Sequence, residues 1–267
     1  IPRVLEELQR MLAPRSDLDM NRIEELVSSD PGLVARILRI VNSAYYGLPR
    51  PLSNLRHALA YLGLGEVYRI VLTATVIQTF GGDAARAFWR HSYTTALAAK
   101  QLARPFEPSL APGDLWPAAL LHDIGEMVEL HLAPEAHARL QQHREQNGCL
   151  RPEAEAALDQ AAHTELGALL CEHWELPPPI RAACLHHETG DLDAVDSPES
   201  RRILRIVTAA DHMTHLALDT LRPEIKEQLQ TRVGELLQCS EETFLLLMGD
   251  LYEVIQQADR SIPDLVD

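Results

Sequence analysis

The sequence predicts an all-α protein built from many helices. Apolar residues recur at helical spacing in nearly every segment, whereas almost no segment alternates between apolar and polar residues as a half-buried strand does. Proline and small polar residues stand where the helices would begin, and glycine stands where several would end. The chain has 267 residues, of which 46% are hydrophobic and 24% charged, so it can bury a sizeable core.

The first part of the chain contains helical signals separated by clear breaks. An apolar stripe of Val4, Leu8, Met11 and Leu12 opens it. Asp30-Pro31 is typical of a helix start, with a capping acid followed by proline at the first helical position. Residues 47–51 form a break, and Ser53 is expected to cap the next helix. Helices are therefore predicted from residue 31, over 54–62 and over 66–80, with a short buried strand as the alternative for the last.

Gly81-Gly82-Asp83 is predicted to mark a boundary, because only one of the twelve histidines precedes it. We expect an N-terminal helical subdomain over residues 1–82, packed on a helical bundle over residues 83–267, the two forming one module. The helices predicted in the second part cover residues 84–104, 114–124, 134–146, 152–162, 164–174, 177–188, 198–217, 224–237 and 241–258.

Composition excludes several classes of function. No run of about 18 apolar residues exists, so no membrane span is expected. The net charge of −15 argues against direct nucleic-acid binding, although a metal could still hold a small anion. Four scattered cysteines without a CxxC pair indicate a reducing cytoplasm. The start has neither an initiator methionine nor a signal peptide, so the sequence is expected to be part of a longer chain.

His122-Asp123 is the pair of residues with the clearest chemical potential. Imidazole and carboxylate together suit Fe, Mn, Zn or Ni, and with more carboxylate Mg. Neighbouring side chains on a helix diverge by roughly 100°, so both can reach one metal only at a helix end. Gly125 is expected to supply that end. An exposed polar pair at a helix terminus is the alternative interpretation.

Other candidate ligands stand in similar settings, each with an alternative. His91 lies in a helix with many small residues, where a histidine bonded to a carbonyl is the alternative. His163 starts a helix and could be an imperfect cap. His186-His187, followed by Glu188, closes an apolar helix and could be a polar exit. Asp211 ends an apolar stretch, where burial requires a cation, a donor or solvent; Arg205 is one candidate partner.

The order of these residues, H…HD…H…HH…D, resembles known families. The ligand order of the HD superfamily of metal-dependent phosphohydrolases matches His91, His122, Asp123 and Asp211. The extended ligand set of its HD-GYP branch, which hydrolyses cyclic di-GMP, is similar at His163, His186 and His187. Residues 29–47 and 58–63 resemble the HDOD family, a bacterial HD-related group attached to signalling proteins and generally regarded as non-catalytic or of unknown activity.

This resemblance implies a multi-helix HD-type (HDOD) fold with a centre of one or two divalent ions, either Fe, Mn, Zn, Ni or Mg. It assigns one metal to His91, His122, Asp123 and Asp211. It assigns a second metal to His163, His186 and His187, with Asp123 bridging the two. In an active enzyme His122 and Asp123 would be the catalytic residues, and a water acidified by the metals would attack phosphorus in line.

Two departures from the HD-GYP pattern bear on function. Glu126 stands at a position where that branch has lysine and is expected to repel a phosphate. The Gly-Tyr-Pro signature is replaced by residues 189–193. These departures favour a signalling module that retains a metal centre and acts through a signalling partner, a fused sensory domain or a nucleotide ligand. The alternatives are a phosphohydrolase acting on a nucleotide or cyclic dinucleotide, and a helical scaffold without metal.

Overall fold

A computed structural model describes residues 2–12 and 20–266 and contains, within them, fifteen α-helices and no strand, so the all-α prediction is confirmed. None of these helices combines the length and apolarity that a bilayer span requires. The helices up to residue 80 are α1 Arg3–Leu12, α2 Met20–Ser28, α3 Pro31–Val41, α4 Leu55–Leu62 and α5 Leu64–Phe80. The later ones are α6 Arg86–Phe106, α7 Pro112–Leu121, α8 Ile124–Leu132, α9 Pro134–Asn147, α10 Arg151–Leu158, α11 His163–His173, α12 Pro178–His186, α13 Pro198–Leu218, α14 Pro223–Leu237 and α15 Glu241–Val266.

The chain divides into two compact units. The first unit comprises Ile1–Arg86 and Arg260–Asp267, and the second comprises Ala87–Asp259. Helix α15 is therefore divided between the units, with residues 241–259 in the second and residues 260–266 in the first. The functional division into residues 1–82 and 83–267 stays a prediction.

The first unit packs α3 against α2, α4 and α5. The Asp30 carboxylate accepts a hydrogen bond from the Leu33 amide at 3.0 Å, which confirms the predicted cap of α3. The cap of α4 differs from the prediction, since the Asn54 side chain, and not Ser53, accepts from the His57 amide at 2.8 Å. In α1 the buried stripe includes Leu5, Leu8 and Met11, whereas Val4 is half-buried, and the side chain of Leu12 lies outside the described residues.

The second unit is centred on α7, α8, α11, α12 and α13, which pack on one another. Pro112 and Pro178 occupy first helical positions, where the missing amide hydrogen is not needed. Helices α2 and α8 have no counterpart among the sequence predictions. Helix α8 matters for the site, because it begins directly after Asp123.

Candidate metal centre

His122 and Asp123 lie at the junction of α7 and α8. His122 is the C-cap of α7, and Asp123 takes the non-helical angles φ −100° and ψ 15° before α8 starts at Ile124. The prediction that the helix ends at Gly125 is therefore wrong: the break is at Asp123, and Gly125 lies within the first turn of α8. The change of direction at Asp123 lets both side chains reach one centre, where they are 1% and 5% exposed.

Gly125 instead allows α8 and α11 to approach closely. A Cβ atom at Gly125 would lie 1.9 Å from the carbonyl oxygen of His163 and 2.8 Å from the amide nitrogen of Gly167. Real Cβ atoms do not come that near to backbone atoms, so only glycine fits. This approach brings His163, the first residue of α11, to Asp123.

The first group of ligand-type atoms belongs to His91, His122, Asp123 and Asp211. The Asp211 Oδ1 atom lies 2.8 Å from His91 Nε2 and 3.2 Å from His122 Nε2. Asp123 Oδ2 lies 3.3 Å from His122 Nε2 and 3.7 Å from His91 Nε2. These four residues would hold one transition metal through two imidazole nitrogens and two carboxylate oxygens.

The second group shares Asp123 and adds His163 and His187. The other carboxylate oxygen, Asp123 Oδ1, lies 2.9 Å from His187 Nε2 and 3.2 Å from His163 Nε2, and the two Nε2 atoms are 3.3 Å apart. Glu188 stands at the edge, with Oε1 3.6 Å from His163 Nε2. Asp123 thus presents one oxygen to each group, as a bridging ligand does.

His186 belongs to neither group among the described residues. His187, the C-cap of α12, turns its buried ring to Asp123, and the neighbouring His186 side chain is half-buried elsewhere. His187 keeps the helical angles φ −60° and ψ −35°, unlike Asp123, so the side chains of His186 and His187 diverge as neighbours on a helix do and only one of them reaches the centre. We therefore remove His186 from the proposed ligand set.

The imidazole rings are oriented as metal ligands would be. The Nδ1 atoms of His122 and His187 donate to the carbonyl oxygens of Ala119 and Ala183, at 2.8 and 2.9 Å. In a neutral ring this leaves the Nε2 lone pair facing the carboxylate oxygens, which is unfavourable unless a proton or a metal lies between them. Without a metal the His122 ring keeps its proton, because burial lowers the pKa of His122 but Asp123 and Asp211 outweigh burial and raise that pKa well above its ordinary value.

Two carboxylate oxygens provide a direct test of metal fit. Asp211 Oδ2 is buried and accepts no hydrogen bond from any described residue, and Asp123 Oδ1 is buried with only the Nε2 atoms of His163 and His187 beside it. A buried anionic oxygen without a donor costs several kcal/mol by order of magnitude. A divalent cation would satisfy both oxygens, so the residues present fit a metal.

Comparison with known proteins gives the family. The HDOD domain family matches residues 1–189, more than half of the chain. The chain belongs to the HDOD family. An uncharacterized relative from Treponema pallidum (strain Nichols) is 27% identical over 227 residues, which are 84% of this chain but only 43% of the relative, so the HDOD chain spans less than half of that protein's length.

Solved structures share the fold of this HDOD chain. An HDOD domain protein of unknown function from Geobacter sulfurreducens has a TM-score of 0.75 at 24% identity, with 99% of this chain and 92% of that chain covered. A proposed phosphohydrolase from Shewanella amazonensis SB2B has a TM-score of 0.72 at 19% identity, with 99% and 94% covered. At these identities the likeness establishes the HDOD fold and no particular activity.

Behind the first group of the HDOD centre lies a histidine that the sequence interpretation missed. His215 Nε2 is 3.4 Å from Asp211 Oδ1, and its Nδ1 donates to Asp219 at 2.8 Å. The ring also packs against the ring of His91, with centroids 4.4 Å apart and planes inclined by 36°. Asp211 and His215 are four residues apart on one helix face, and that spacing is the signal that could have identified it.

Behind the second group lies a buried charge cluster around Arg151. Glu155 accepts from His163 Nδ1 at 2.9 Å and from Arg151 Nε at 2.9 Å, so Arg151 holds the carboxylate that orients this ligand. Burial lowers the pKa of His163, but Asp123 and Glu155 outweigh it and raise it to about 10. Arg151 also pairs with Glu129 and, at 3.2 Å, with Glu126.

The surroundings of Glu126 differ from the sequence interpretation. Its side chain is buried and pairs with Arg151 and, at 3.8 Å, with Arg144. Burial alone would raise the pKa of Glu126, but the two arginines outweigh burial and the pKa is lowered. The carboxylate is therefore charged, and its charge is balanced by these arginines. Arg144 also donates to Asp219 at 3.1 Å, so one continuous polar network supports both groups of the centre.

Proposed function

We propose that this chain is a regulatory HDOD module that binds one or two divalent metal ions and acts in signalling through a partner or ligand. The convergence of imidazole Nε2 atoms on both oxygens of the buried Asp123 carboxylate carries this proposal. Four imidazoles and two carboxylates suit Fe, Mn, Zn or Ni better than Mg. The proposed ligands are His91, His122, Asp123, His163, His187 and Asp211.

A regulatory role is favoured by the surroundings of the centre. The most exposed proposed ligand, His91, has only 14% of its side chain exposed. The nearby guanidinium groups of Arg144 and Arg151 are bound to carboxylates, so neither is available to an incoming phosphate. A metal that binds only the folded chain stabilises it, so metal occupancy would control how well the second unit is formed. We propose a signalling protein or a fused sensory domain as the partner that senses this state.

Metal content tests the proposal directly. We expect elemental analysis of protein purified without chelator to find about one or two transition-metal ions per chain. Asp123→Ala should remove nearly all of it, because both groups share this carboxylate, whereas His187→Ala should affect only the second group. His186→Ala is the matched control and should leave metal content unchanged. Unchanged metal content in Asp123→Ala would exclude this ligand set.

The second candidate function is metal-dependent phosphohydrolysis, favoured by the position of Asp123 between the two groups. Bound metals would polarise a phosphoryl oxygen and lower the pKa of a bound water. Asp123 would belong to both groups of ligands. The hydrogen bond from His122 Nδ1 to the Ala119 carbonyl oxygen would keep His122 Nε2 directed at the centre. The substrate class would be a nucleotide or a cyclic dinucleotide.

A substrate panel distinguishes the two candidates. Under the regulatory proposal we expect no hydrolysis of phosphoesters, nucleotides or cyclic dinucleotides with added Mn or Fe beyond that of His122→Ala. Phosphate release should be measured on protein whose metal content has been determined. Turnover that His122→Ala abolishes would replace the regulatory proposal with the enzymatic one.

A further inference from the structure

A cavity of about 430 Å³ lies in the first unit, whereas all of the candidate metal ligands belong to the second unit. Its polar lining consists of Arg39, Asn42, Ser43, Arg260 and Ser261. The Asn42 side chain is fixed by bonds to both backbone groups of Leu52, at 2.7 and 2.9 Å, which holds the loop after α3 in place. The cavity therefore combines a fixed wall with a cationic, hydroxyl-bearing lining.

The two arginines of this cavity are available for a ligand. Arg39 and Arg260 are exposed and form no ion pair with any residue that the structure describes, whereas Arg3 and Arg56 pair with glutamates. The Ser43 hydroxyl is buried at the cavity wall and likewise lacks a partner among the described residues. Guanidinium groups present fixed pairs of N–H donors that match the oxygens of a phosphoryl group.

The distribution of charge along the chain supports an anion here. The first unit contains eleven basic and eleven acidic residues, while the second contains thirteen basic and twenty-eight acidic ones, which accounts for the whole net charge of −15. A small anion is therefore not repelled by the unit that contains the cavity. The C-terminus of α3 contributes about half a negative charge nearby, which stabilises Arg39 but is outweighed by two full positive charges.

We propose that this cavity binds a small phosphate-bearing molecule, with Arg39 and Arg260 donating to its phosphoryl oxygens. Rotation of the Ser43 side chain would add a hydroxyl donor from the wall. The volume admits a ligand the size of a mononucleotide. This site shares no residue with the metal centre and adds a second input to the proposed regulatory function.

Calorimetric titration of the whole chain tests the site with three probes: adenosine monophosphate, inorganic phosphate and adenosine. We expect the two phosphates to bind and adenosine to bind far more weakly. Arg39→Gln and Arg260→Gln should each weaken binding about tenfold or more, because each removes a charge-assisted contact. Tighter binding of the nucleotide than of phosphate identifies an ester as the ligand, and equal binding identifies free phosphate.

Two controls separate this site from others. Arg22→Gln removes an exposed arginine of the same unit that does not line the cavity, and His187→Ala alters only the metal centre. Both should leave phosphate affinity within about twofold. The proposal is overturned if neither phosphate binds at millimolar concentration, if adenosine binds as tightly as its monophosphate, or if Arg39→Gln and Arg260→Gln leave the affinity unchanged.

Discussion

Replacement of Gly125 with alanine is expected to destabilise the second unit severely and to abolish metal binding by His163. The added Cβ would lie 1.9 Å from the His163 carbonyl oxygen, and backbone atoms cannot yield as the end of a flexible side chain can. Overpacking costs about 1–3 kcal/mol and occasionally more, and this contact belongs at the upper end of that range or beyond. Helices α8 and α11 must move apart, which withdraws His163 from Asp123. Urea unfolding and metal analysis measure the two effects.

Gly249→Ala is the matched control for this substitution. Gly249 is also helical and in the second unit, but an added Cβ there meets no atom within 4 Å. Alanine should stabilise that helix by about 0.5–1 kcal/mol, because glycine loses more backbone entropy on folding. A Gly125→Ala protein with normal stability and full metal content would contradict the close approach of α8 and α11.

Local signals in the sequence were sufficient to predict most of the helices, though not α2 or α8, and several of the helix ends. Asp30 caps α3 as expected because capping depends on residues within one turn. Gly125 was misassigned for a related reason. A glycine after an apolar helix is typical of a helix end, and nothing local reveals that another backbone lies against it.

The candidate site was only partly predictable. Resemblance to the HD families supplied the order of the ligand-type residues, but it did not decide between His186 and His187, which depends on where α12 ends. The supporting network was missed because its contacts join distant parts of the chain. Arg151 is 25 positions from Glu126, and periodicity carries no information about such pairs.

Arg151→Met is expected to destabilise the second unit by about 3–5 kcal/mol, as removal of one partner from a buried ion pair does. Methionine nearly preserves the volume, so the main effect is the loss of charge beside Glu126, Glu129 and Glu155, all at most 8% exposed. Glu155 would also lose the donor that orients it, so metal affinity at His163 should fall about 10–100-fold. Denaturant unfolding measures the stability, and metal titration measures the affinity.

The control is Arg222→Met, which removes an exposed pair with Glu153 and should cost at most about 1 kcal/mol. The double variant Arg151→Met/Glu126→Gln should regain part of the lost stability, because it also removes one uncompensated carboxylate. Strictly additive losses would show that Glu126 and Arg151 are not coupled. A gain would establish that Glu126, which stands where the HD-GYP branch has lysine, balances the buried arginine that supports His163.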